Sequence, residues 1–111
     1  MKRETLSGVR HFKGRQQRDI QVEYYFLKDY RFGEDESPLC GIKIVKSEII
    51  DDQDHREVET APSISYSEKF VKQIIQVMMQ GLVTPIHMLE VIDQMVTLNQ
   101  QEVKKKEVQA R

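Results

Sequence analysis

From Ile20 onward the chain alternates with a period of two. Ile20, Val22, Tyr24 and Phe26 fall on one side, and Gln21, Glu23, Tyr25 and Leu27 on the other. Such alternation, rich in β-branched and aromatic residues, predicts a strand. A second run, Leu39 to Ile50, sets Ile42 and Ile44 against Lys43 and Val45. A shorter run near residues 56–60 has Val58 as its anchor and is closed by Ala61-Pro62. Gly33-Glu34-Asp35-Glu36-Ser37-Pro38 and Asp51-Asp52-Gln53-Asp54-His55 separate the runs as polar links. Three such runs joined by short links predict an antiparallel meander. Tyr25, Leu27 and Val45 make both sides of it partly apolar. An antiparallel sheet with one wet face carries polar residues there, so the second face calls for a cover: the N-terminal segment or another chain.

Past Pro62 the period becomes helical. Ser65 and Glu68 have capping-box spacing, with Ser65 as N-cap. Phe70, Ile74, Val77 and Met78 recur on one stripe, widened by Val71, Ile75 and Met79. Gly81 is read as the left-handed residue that stops this helix. Thr84 is read as the cap of a second helix, with Pro85 at its first position and Val83 stapled to Met88. Ile86, Leu89, Ile92, Met95 and Val96 form its inner face, and the polar residues beyond Leu98 fray. A link this short keeps the two helices together on one face of the sheet. The expected fold is α+β, a three-stranded antiparallel meander followed by two C-terminal helices (βββαα). On this reading replacing Ile74 or Leu89 by Ala costs ~2–5 kcal/mol.

The 111 residues suffice for one domain. An apolar fraction of 39% with 32% charged residues is polar for a globular chain, which assigns part of it to tails. The expected division is a basic, partly disordered arm over 1–18, one domain over 19–98, and a polar, basic tail over 99–111. The formal net charge of −1 hides a segregation. Lys2, Arg3, Arg10, Lys13, Arg15 and Arg18 against Glu4 give the first segment +5, and Lys104, Lys105, Lys106 and Arg111 against Glu107 give residues 103–111 +3, leaving −9 between. Basic arms can release counterions from phosphates, so Arg10, Lys13, Arg15 and Arg18 are the candidates for a nucleic-acid contact. No recognition helix or RNA-type aromatic motif accompanies them. One cysteine, Cys40, fits a reducing cytoplasmic setting. No run is long and apolar enough for a membrane span, and no apolar stretch follows the basic start, so no secretory signal is expected.

Tyr24-Tyr25-Phe26-Leu27, Gly41-Ile42-Lys43-Ile44 and Val83-Thr84-Pro85-Ile86-His87 resemble, over residues 20–98, a family of small uncharacterised proteins of clostridia and related Firmicutes. The resemblance implies a bacterial, cytoplasmic protein. It carries no assigned activity and hence no catalytic residue to transfer, and the long basic N-terminal arm departs from its pattern.

Candidate chemistry is sparse. The acidic 51–55 segment lacks the Gly at the sixth and the Glu at the twelfth position of a calcium loop, so turn chemistry accounts for it. His87 and Glu90 share a helix face, but no second histidine completes a zinc-protease spacing. Cys40 at a strand start reads as a small buried hydrophobe. The five glycines are scattered, and neither a phosphate loop nor a Gly-x-Ser-x-Gly elbow occurs. An enzyme is not expected, and no metal, cofactor or small-molecule substrate is called for. What remains is surplus apolar surface, the mark of an interaction site. The leading expectation is a protein-interaction domain, self-associating as a homodimer through its helix face or binding another protein. Tyr25, Leu27, Val71, Ile75, Met79 and Val91 are its contact candidates. The alternative is a nucleic-acid-binding accessory protein using the basic arm.

Overall fold

The segment read as a basic arm is a strand. The computed structural model describes residues 2–31 and 37–109, with side chains to residue 102. Its elements are β1 (Lys2–Lys13), β2 (Asp19–Asp29), β3 (Leu39–Ile50), β4 (Gln53–Ser65), α1 (Glu68–Gln80) and α2 (Met88–Gln109). The strands form a single sheet in the order β1-β2-β3-β4, every neighbour antiparallel. The fold is therefore α+β with four strands, where the sequence predicted three. The charged link at 33–38 falls largely outside the described residues.

β1 escaped detection because a register shift between Leu6 and Gly8 breaks its alternation. Leu6 and Val9 would face opposite ways in a regular strand. Across the irregularity, Leu6 pairs with Tyr25 and Val9 with Glu23, which puts both on one side of the sheet. Gly8, Arg10 and Phe12 lie on the other, opposite Tyr24, Val22 and Ile20.

β3 and β4 are joined by Asp51-Asp52 alone, both at positive φ (50° and 62°), as a type I′ hairpin needs. The rest of the acidic segment, Gln53 to His55, is already strand. Asp tolerates this region less well than glycine. Asp52→Gly is accordingly expected to stabilise the protein by ~0.5–1 kcal/mol, read as a raised midpoint in urea unfolding. β4 runs through Pro62 to Ser65 because it is an edge strand, and its pairing shifts register between Cys40 and Ile42 at that point.

One face of the sheet packs on the helices. Ile20, Val22, Tyr24 and Phe26 of β2 and Cys40, Ile42 and Ile44 of β3 are buried against Val71, Ile74, Ile75 and Met78 of α1 and Met88 and Ile92 of α2. β1 makes the sheet wide enough to take the broad apolar stripe of α1. Met79, at the stripe's edge, lies over Gly8, where a Cβ would fall 2.3 Å from its methyl. Arg10 reaches from β1 to donate a 2.7 Å hydrogen bond to the Met79 carbonyl, placing a cation at the negative end of α1. The Tyr24 hydroxyl donates to the Val83 carbonyl at 2.8 Å, tying the link between the helices to the sheet. Burial pushes that phenol up to about 12.

The helix ends differ from the sequence reading. Ser67, not Ser65, caps α1, its Oγ accepting from the Phe70 N–H at 3.2 Å. Ser65 Oγ accepts from Ser67 N–H one step earlier. Glu68 thus opens the helix, paired at 3.1 Å with both Lys28 and Lys72, whose charges hold its carboxyl below the usual range. At the other end Gly81 has φ −87° and Leu82 takes the left-handed place at 54°. Leu82 N–H to Met79 and Val83 N–H to Met78 close the helix as a Schellman motif. Thr84 makes no side-chain cap, a 3₁₀ turn over Pro85–His87 precedes α2, and α2 continues to Gln109 instead of fraying after Leu98. Ile86 and Leu89, assigned to the inner face, are 80% and 52% exposed.

Candidate functional site: the open face of the sheet

The helices cover one side of the sheet, and no described element covers the other. β1 lies in the plane of the sheet and leaves that second face open. The strand pairing brings its side chains into rows. One row is Val9, Glu23, Val45 and Val58; the next is Leu6, Tyr25, Lys43 and Thr60; Leu27 lies beyond, opposite Glu4 and Gly41. Val58 is 55% exposed and Leu6 50%, while Val45 between the strands is buried by its neighbours. The face thus carries apolar side chains from all four strands, interrupted by Glu23 and Lys43 on the two central ones, with Ile49 exposed further along β3.

The charges on this side are satisfied within the face itself. Lys43 bonds Glu4 and also lies 4.7 Å from the centre of the Tyr25 ring. Lys13 bonds Asp19, and Arg56 lies 3.1 Å from Asp54. Asp29 is held by Arg31 at 3.0 Å. Glu23 accepts from Gln21 Nε2 at 3.1 Å and from the Tyr25 hydroxyl, and this carboxylate raises the Tyr25 phenol above its ordinary value. Every open-face carboxylate on β1 to β4 therefore has an intramolecular donor. Such exposed pairs add little stability, but they cancel the field above the face.

Of the residues expected to touch a partner, only Tyr25 and Leu27 lie on this face. Val71 and Ile75 are core residues, Met79 is partly buried over Gly8, and Val91 packs partly buried against the core. Leu6, Val9, Val45 and Val58 were missed. Val45 is placed on this second face by its alternation but is not among the contact candidates, Val58 is read only as a strand anchor, and Leu6 and Val9 stand in the strand whose alternation is broken. The basic candidates are dispersed. Arg10 is spent on α1, Lys13 on Asp19, and Arg18 donates to Gln16 at 2.8 Å and approaches Glu48 at 4.0 Å. Arg15 stands in the β1–β2 turn.

The reactive side chains do not converge. Cys40 is fully buried, its thiol raised by desolvation and by the nearby Glu68 carboxylate and donating to the Pro38 carbonyl at 3.6 Å. His87 Nδ1 lies 3.6 Å from Glu90 on the exposed side of α2. His11 is on the open face and His55 on the helix side of β4, so the three histidines remain apart. Among the described residues no group of three His, Cys, Asp or Glu is placed to hold a metal ion, and no described helix is long and apolar enough to cross a membrane.

Residues 3–98 match the model of a family of unknown function, DUF6514. The chain belongs to that family. The DUF6514 match begins within β1, so the first strand is part of the shared domain, where the sequence reading had started the resemblance at residue 20. It takes in both the covered and the open face of the sheet. No curated protein and no solved structure matches the chain.

Proposed function

We propose that this DUF6514 protein is a non-enzymatic protein-interaction domain whose docking surface is the open face of the sheet. The observation that carries the reading is the set of apolar side chains Leu6, Val9, Tyr25, Val45 and Val58 on this face, exposed at Leu6, Val9 and Val58 and interrupted by Glu23 and Lys43, which are bonded within the face. Exposed apolar surface of this kind marks an interaction site. The helix-face interface expected from the sequence has less support, because the stripe of α1 is spent on the core apart from Val77, and the exposed Ile86, Leu89 and Leu98 lie in the 3₁₀ turn and along α2. Support for the non-enzymatic part comes from the dispersal of the histidines and the burial of Cys40. The resemblance to clostridial proteins supports a bacterial, cytoplasmic setting. Nucleic-acid binding by the basic residues has less support, since Arg10 and Lys13 are held within the fold.

A tagged pull-down from a lysate of the source organism tests this with wild type, Leu6→Asp on the open face and Val77→Asp on the outer side of α1. The expected result is protein capture that survives nuclease and high salt, is lost with Leu6→Asp and is kept with Val77→Asp. Capture unchanged by Leu6→Asp overturns the reading. Capture abolished by nuclease, or lost at high salt as phosphate contacts are, moves the function to the basic residues.

A further inference from the structure

We infer that the occupant of the open face is a second copy of this chain, packed sheet to sheet about a two-fold axis. The inference rests on the open face being the docking surface and adds its partner.

Three observations lead to it. The first is electrostatic. Glu4, Asp19, Asp29 and Asp54 each have a lysine or arginine partner and Glu23 is held by Gln21 and Tyr25, so the face offers little net field to recruit a charged ligand. Two such faces meet with little like-charge repulsion beyond the single Glu23 of each, and an identical copy brings the same largely apolar surface. Basic nucleic-acid-type or acidic-peptide recognition would instead need unpaired charge here.

The second is area. Four strands ~4.8 Å apart, paired over about ten residues rising ~3.4 Å each, present a face on the order of 650 Å², close to the ~800 Å² per partner of a standard specific interface. The face is of a size that one copy of itself covers.

The third is the state of the other surfaces. The edges of the sheet are blunted: β4 by Pro62 and a register shift, β1 by the irregularity at Leu6/Gly8 and by its lysines and arginines. The opposite face is already filled by α1 and α2, whose own exposed apolar side chains are divided among α1 (Val77), the 3₁₀ turn (Ile86) and α2 (Leu89 and Leu98). Association through the face leaves these features undisturbed. Two twisted sheets pack face to face with their strands within about 30° of each other. The dimer is then a four-layer assembly, helices outside and two sheets inside, in which the Val9–Glu23–Val45–Val58 row of each copy is covered, with Glu23 kept on its Gln21 and Tyr25 donors. A two-fold axis makes this contact self-closing, so assembly stops at two.

Sedimentation of the full chain at low and high micromolar concentration, in low and high salt, tests the inference. Expected is a species of twice the 13.1 kDa chain mass, unchanged by salt because its burial is apolar. Val58→Asp places a carboxylate in each half of the interface and should raise the dissociation constant roughly tenfold or more. Val58 is more than half exposed in the single chain, so this variant is expected to keep its thermal midpoint as a monomer. Leu6→Asp, on a different strand, provides the same readout should Val58→Asp fail to fold. A wild type that stays monomeric at every concentration overturns the self-pairing. If lysate capture remains sensitive to Leu6→Asp in that case, the docking face stands and only its partner is wrong. A dimer indifferent to both variants also overturns the inference.

Discussion

Gly41→Ala is expected to be among the most damaging single substitutions in this protein, costing ~3 kcal/mol or more. Gly41 opposes Leu27 on β3, and a Cβ there would lie 2.3 Å from the Ala61 carbonyl oxygen and 2.6 Å from the carbonyl atoms of Pro62. These are backbone atoms of β4 at its register shift, so no rotamer change relieves the clash. The strand itself must move. Moving it disturbs the pairing of Ile42 with Ala61 and the run into Ser67, the cap of α1. The effect is a lower midpoint in urea or thermal unfolding, with Gly8→Ala as the comparison. There the nearest atoms are the flexible end of Met79, and the loss should be smaller. Equal losses at the two glycines would show that the β4 backbone accommodates the methyl.

Ile74→Ala should cost ~2–5 kcal/mol, a large share of the stability of a small domain. Ile74 is fully buried in the middle of α1, packed among the β2 and β3 side chains, and truncation leaves a cavity that the surrounding helix and sheet can close only in part. Leu89→Ala separates this from a general effect of helix truncation. Leu89 was expected to lie on the inner face, yet it is half exposed, and its loss should stay below about 1 kcal/mol. Melting temperatures of the two variants decide the matter: a drop for Ile74→Ala with little change for Leu89→Ala is the expected pair. Similar drops would place Leu89 in the core after all.

Leu89 misled because periodicity gives the direction of a helix's apolar stripe but not how much of that stripe finds a partner. α1 crosses the sheet and touches all four strands, so its stripe is used in full. α2 rests mainly on α1 and the 3₁₀ turn, which leaves Leu89 and Leu98 outside. The capping error has a similar origin. Ser65 and Ser67 both have a hydroxyl near the helix start, and the choice is made where β4 releases the chain, not by spacing.

β2, β3, the existence of both helices and the buried row Ile20, Val22, Tyr24 and Phe26 are legible in the sequence, because alternation and helical spacing are local properties that survive in any tertiary setting. Only the tertiary structure decided that the basic N-terminus is a fourth strand, since its alternation is broken by one irregularity and its partner, β2, supplies the missing register. Only the tertiary structure sorted the surplus apolar residues. Widening the sheet by β1 took Val71, Ile75 and most of α1 into the core, and it joined Leu6 and Val9 to Tyr25, Val45 and Val58 on the opposite face. Which face of a strand remains open depends on what its neighbours bury, and that is a property of the assembled layers rather than of any one segment.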